Sequence, residues 1–295
     1  MVSSTYCLTN VVTKMKNILS FLIAVSMLGA SIAQGAPWFE DGFESGDFSK
    51  NSMRDGTSFR WSASNVSASN ATSNSGSYSA MFVFGPNADG EDSWRELGFR
   101  FGKAVSDVWV EYWILYPDNY NHRSQSSSSN NKFFQYNYNG APKQMLTVES
   151  AVQGGGSSLM RRFLSTTQTP SGANNWPVND FDTRNFIGSS SDYAIQTGRW
   201  TKVMIHYSAG SDGVKNDGRA EVWINDKLFH GLDFPFWEPD NQGRINGGYI
   251  LGWSNSGFSQ ATRIYIDDFK VYDAPPDGTS SSSKPRPPSD FIIGN

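Results

Sequence analysis

The stretch RWTKVMIHYSAGSDGVKNDGRAEVWINDKLFHG, Arg199–Gly231, sets the reading of the whole chain. In Trp200–Tyr207, Thr201, Val203, Ile205 and Tyr207 alternate with Lys202, Met204 and His206. A period of two belongs to a strand, whose successive side chains point to opposite faces. Ala220–Asn225 repeats the pattern, with Ala220, Val222 and Ile224 set against Glu221, Trp223 and Asn225. Gly, Ser, Asn and Asp fill the space between the two runs, and Asn225–Asp226–Lys227 makes a turn into Leu228 and Phe229. Neither second face is plain core or plain solvent surface. Lys, His, Glu, Asn and a large Trp together read as the wall of a polar groove, or as a hydrogen-bonded strand surface.

Similar short runs recur on both sides: Tyr78–Phe84, Trp94–Phe101, Asp107–Tyr116, Lys132–Tyr138, Gln144–Ser150, Gly248–Trp253 and Arg263–Tyr272. Turn residues separate them, and no long amphipathic helix or internal repeat intervenes. Strands spaced this way predict an all-β antiparallel sandwich or barrel, one domain over residues 37–273. The Pro- and Ser-rich segment Ala274–Asn295 reads as a flexible tail.

Composition narrows the function classes. Among 295 residues, 24 Lys+Arg face 28 Asp+Glu, a net charge of −4, so the basic field of a nucleic-acid binder is missing. Aromatic residues make up 14% of the chain, ample for a large core and incompatible with wholesale disorder. Lys14 and Lys16 precede the apolar run Ile18–Ala30 and the small residues around Ala33. That is the pattern of a secretory signal peptide over residues 1–33, too short in its apolar part to span a bilayer. Its removal takes away Cys7, the only cysteine, and predicts a secreted protein without thiol chemistry or a membrane anchor.

Three segments carry a family resemblance: FEDGFESGDFSKNS (Phe39–Ser52), the Arg199–Gly231 stretch, and IYIDDFKVYD (Ile264–Asp273). They resemble the concanavalin A-like jelly-roll proteins, especially the secreted polysaccharide lyases of the heparin lyase I and alginate lyase kind. The resemblance implies a jelly-roll sandwich with first and last strands adjacent. Arg95–Glu96–Leu97 is similar to the family's "R-x-E-L" strand motif without its intervening residue, which puts Arg95 and Glu96 on opposite faces. Gln135–Tyr136–Asn137 stands in the place of "Q-x-H", with Asn137 where the family has a proton-abstracting histidine. The resemblance also implies a structural calcium ion tying the first and last strands, with Asp41, Glu44 and Asp268, or Asp267 in its place, as its ligands. Turn capping is the other reading of those carboxylates.

A lyase acting on a uronic-acid polymer must neutralise the sugar carboxylate, remove the C5 proton and protonate the departing O4. His206 is the expected base, with His122 second; Gln135 and Asn137 are the expected neutralisers, and Tyr136 or Tyr138 the acid if that face of the strand lines the groove. Lys202, Arg95, Glu96 and Glu221 are expected to hold the substrate, alongside the loose cations Arg100, Lys143, Arg161 and Arg162, and Trp223 to stack on a sugar ring. A monomeric enzyme on an acidic polysaccharide is the expectation. A non-catalytic lectin-like (laminin-G-like) module and a structural surface protein remain open beside it.

Overall fold

The computed structural model describes residues 35–88, 90–121, 123, 130–150, 158–164, 180–188, 194–255 and 257–276. The signal-peptide expectation, His122 and the tail beyond residue 276 lie outside them. Every regular element among the described residues is a strand. One sheet runs β13 (Lys227–Phe234), β12 (Gly218–Ile224), β11 (Trp200–Ser208), β6 (Asp107–Leu115), β15 (Thr262–Tyr272), β4 (Ser79–Phe84), β3 (Val66–Ser69), with β1 (Phe39–Asp41) also on β15. The other runs β10 (Asp180–Ile187), β9 (Ser158–Leu164), β8 (Ala141–Ser150), β7 (Asn130–Tyr138), β14 (Ile245–Ser254), β5 (Ser93–Val105), β2 (Phe59–Ser64).

All strand pairs are antiparallel, and the first and last strands meet: Phe39 opposes Val271 and Asp41 opposes Phe269. This is an antiparallel β-sandwich, as the alternation predicted, and the jelly roll that the resemblance implied. Thr201, Val203, Ile205 and Tyr207 are all buried, as are Ala220, Val222 and Ile224, so the faces assigned to β11 and β12 hold. From the opposing sheet Leu97, Phe99 and Phe101 of β5 enter the same core. Phe39 stacks on Phe59 with ring centroids 3.6 Å apart, and Trp61 donates to Asp41 Oδ2 at 2.9 Å, so β1 is fixed to both sheets.

In β7 the register differs from simple alternation. A bulge between Lys132 and Phe134 adds one residue, and both Phe133 and Phe134 become fully buried. Apolar burial outweighs the regular ladder here, since each buried phenylalanine contributes about 1.5–3 kcal/mol. Phe133 therefore leaves the face that strict alternation gave it with Gln135 and Asn137.

Candidate functional site

The expected groove does not form, because its residues sit in different sheets. Lys202, His206, Glu221 and Trp223 belong to β11 and β12, whereas Gln135 and Asn137 belong to β7 of the other sheet. Tyr136 shows the separation: its ring is wholly buried and its hydroxyl donates to the Ile205 carbonyl at 2.8 Å across the core. It cannot serve as an acid at the surface, and burial raises its pKa well above the usual phenol value.

Outside β11 the residues compensate one another. His206 lies between Trp109 of β6 and Glu221 of β12 in the register, stacked on the indole at 3.7 Å and 6°. Its Nδ1 is 3.0 Å from Glu221 Oε2 and its Nε2 is 3.3 Å from Asp107 Oδ1. Burial alone would lower its pKa, but the bonds to Asp107 and Glu221 outweigh this and raise it. With both ring nitrogens engaged by carboxylates, His206 has no free nitrogen to offer a substrate, so it is not an available base. Arg219 holds the other Glu221 oxygen at 2.7 Å and Asp233 at 2.8 Å. Lys202 is paired with Asp226 at 2.5 Å and lies 3.9 Å from Glu111. Trp223 packs against Trp109, Met204 and Tyr272 instead of presenting a free ring.

The carboxylates expected to bind calcium are also occupied. Asp41 accepts from Phe43 N–H and Trp61 Nε1, and Glu44 from the N–H groups of Ser77 and Tyr78. Asp268 accepts from Asn74 Nδ2 and Ser75 Oγ, while buried Asp267 accepts the Asn74 and Ser75 N–H groups. Burial pushes Asp267 up to about 6, opposed by those N–H bonds. These residues tie the 72–78 loop to the end strands. Among the described residues no group of three or more acidic, His or Cys side chains is placed to hold a metal ion.

The outer face of the second sheet is different. Reading across its strands, one row is Ser62, Gly98, Tyr249, Gln135 and Met145; the next is Arg60, Arg100, Gly247, Asn137 and Pro142. Tyr249 donates to Gln135 Oε1 at 2.9 Å, which leaves the amide N–H₂ as Gln135's donor face. Gly252, at φ +132°, lies where three side chains converge. A Cβ there would stand 3.3 Å from the Tyr249 ring, 3.5 Å from Lys132 Cβ and 3.6 Å from Glu96 Oε2.

Burial raises the Glu96 pKa, with the Trp94 indole hydrogen bond opposing it. Burial and then the Glu96 charge raise that of Tyr249. A carboxyl poised toward neutrality thus stands by a phenol that keeps its proton, the separation that distinguishes a proton acceptor from a donor. Arg95, paired with Gly252 and bonded to the Trp94 carbonyl, lies on the opposite parity to Glu96, as the shortened motif requires. Arg60 and Arg100 oppose each other directly, and Arg100 donates to Asn139 Oδ1 at 2.8 Å. Two like charges in register repel unless an anion lies between them. Lys143 instead forms a buried pair with Glu238, and Arg161 and Arg162 lie in β9.

Tyr249 was absent from the sequence expectations, although its strand was recognised. Its signal is a lone phenol flanked by Gly247–Gly248 and Gly252.

No protein-family model matches the chain, and no curated protein does either. Among solved structures, the endo-β-1,4-glucuronan lyase of the fungus Trichoderma reesei superposes with a TM-score of 0.53 at 13% identity, covering 81% of this chain and 96% of that one. The alginate lyase Aly36B, in complex with an alginate trisaccharide, superposes with a TM-score of 0.51 at 11% identity, covering 73% and 88%. At these identities the likeness is one of architecture: the chain has the β-sandwich fold that these two polysaccharide lyases have.

Proposed function

We propose that the protein is a polysaccharide lyase that cleaves a uronic-acid polymer by β-elimination on the outer face of the β5–β14–β7 sheet. The observation that carries this reading is the Glu96–Tyr249–Gln135 cluster, a raised carboxyl and a protonated phenol beside an amide donor. The amides of Gln135 and Asn137, with Arg100 in the same row as Asn137, bind the sugar carboxylate and make the C5–H acidic. Glu96 takes the C5 proton and the electron pair forms the C4=C5 bond. The C4–O4 bond breaks, and Tyr249 gives its proton to O4. Return of the proton from Glu96 to Tyr249 resets the site. Export directed by the apolar run Ile18–Ala30 would bring the enzyme to such polymers outside the cell.

A binding module without catalysis is the second reading. It is favoured by the histidines, since His206 and His230 both lie in the sheet that lacks the cluster and Asn137 stands in the place of the usual one. Incubation with β-1,4-glucuronan, alginate, hyaluronan and heparin, following the ultraviolet absorbance of the new double bond, separates the two. Product on one of them, with Tyr249→Phe lowering turnover by ~10²–10⁴, supports the lyase. Binding without product on any of them selects the module.

A further inference from the structure

The geometry points to a second binding element on this sheet: Trp94 and Trp253 form a stacking platform for a β-1,4-linked polyuronate whose rings carry all their substituents equatorially. The two indoles oppose each other in the β5–β14 register, with ring centroids 6.4 Å apart and planes inclined by 37°. They are 45% and 47% exposed, the exposed aromatic side chains among the residues whose burial is described. A single exposed aromatic needs no explanation, but two side by side leave a costly apolar surface in water unless it is used.

Position argues for use by the same ligand as the cluster. Trp94 Nε1 donates to Glu96 Oε2 at 3.3 Å, so the carboxylate next to Tyr249 also sets the angle of the first ring. The inference rests on the lyase reading only for the acidic character of the sugar. Its ring preference is independent. A pyranose with equatorial substituents presents two faces of axial C–H bonds, which fit an aromatic surface. An α-linked guluronate chain directs its linkages axially and cannot lie flat on it. The two rings together cover more than one sugar face, which suits a chain over a monosaccharide.

The test compares β-1,4-glucuronate oligomers with α-1,4-guluronate oligomers of equal length. Dissociation constants are measured for the wild type, Trp94→Ala, Trp253→Ala and Trp253→Phe, each also in the Tyr249→Phe background so that binding is read without cleavage. The alanine variants are expected to weaken glucuronate binding about tenfold, one aromatic contact each, and Trp253→Phe to retain most of it. Guluronate binding should be weak in the wild type and indifferent to both substitutions. Equal glucuronate affinity in the wild type and both alanine variants, with native circular dichroism spectra, overturns the platform. Guluronate affinity that matches glucuronate and falls in parallel overturns the ring preference. Affinity lost in the variants while the wild type yields no product keeps the platform and rejects the lyase; product formed at an unchanged KM does the reverse.

Discussion

Substituting His206 by glutamine removes an imidazolium from between Trp109, Glu221 and Asp107 while keeping a polar side chain of similar reach. The Glu221 bond is charge-assisted and buried, worth about 1.5–3 kcal/mol, but Glu221 keeps Arg219 on its other oxygen, so the lower end applies. Asp107 is half exposed, and its bond adds at most about 1 kcal/mol. The stack on Trp109 adds about 0.5–1.5 kcal/mol. The loss is then roughly 2–4 kcal/mol, or about 5–15 °C in Tm for a domain of this size.

Its pH dependence has a definite sign. The folded pKa of His206 is raised, so the added stability is complete below the unfolded value of about 6.5 and fades as pH rises through the folded one. Thermal melts of wild type and His206→Gln should differ most below about pH 6.5 and draw closer as pH rises through the raised folded pKa, leaving the contribution of the Trp109 stack. Turnover on a polyuronate should stay within about threefold, well short of the ~10²–10⁴ loss of a general base. A fall of that size at native Tm would refute the structural role. Equal melting curves at all pH would refute the energetic account.

Two further outcomes follow from charges at opposite ends of the burial scale. Lys143→Ala leaves Glu238 buried with only Asn241 Nδ2 beside it and should cost about 3–5 kcal/mol in chemical denaturation, whereas Lys143→Met with Glu238→Gln should recover part of that. Arg60→Gln removes one of two opposed guanidinium groups, so it should raise stability by about 0.2–1 kcal/mol while weakening polyuronate binding and flattening its salt dependence. A loss of stability together with unchanged binding would show the pair to be structural.

Alternation made the architecture readable because one face of each long strand had to be apolar. Thr201, Val203, Ile205 and Tyr207 could only be core, and the pairing of β1 with β15 followed the closing-strand resemblance. The strands that escaped notice have weak patterns: β2 reads FRWSAS, β3 reads VSAS, and β9 carries adjacent arginines. In β7 the sequence left two registers open, and burial of Phe134 and Tyr136 in the core puts Gln135 and Asn137 on the other side of the sheet. The choice depends on what lies across the sandwich, which a strand's own residues do not encode.

The error over His206 has the same root, and it shows how similar residues come to opposite uses. Lys202, His206, Glu221 and Trp223 have the spacing of a groove wall, but β6 and β12 supply Trp109, Asp107, Glu111 and Arg219 at neighbouring register positions. Each charge there meets an opposite charge, and the face closes on itself. Across the sandwich, the register places Arg60 against Arg100, so like charges repel, and Trp94 beside Trp253, both about half exposed. A surface that satisfies its own polar groups gains stability and has little left for a ligand. One that leaves like charges in register and two indoles half exposed has free energy to recover when an acidic, flat-ringed polymer binds. The direction of that imbalance, more than the presence of any one residue type, is what supports the proposed site on the β5–β14–β7 face.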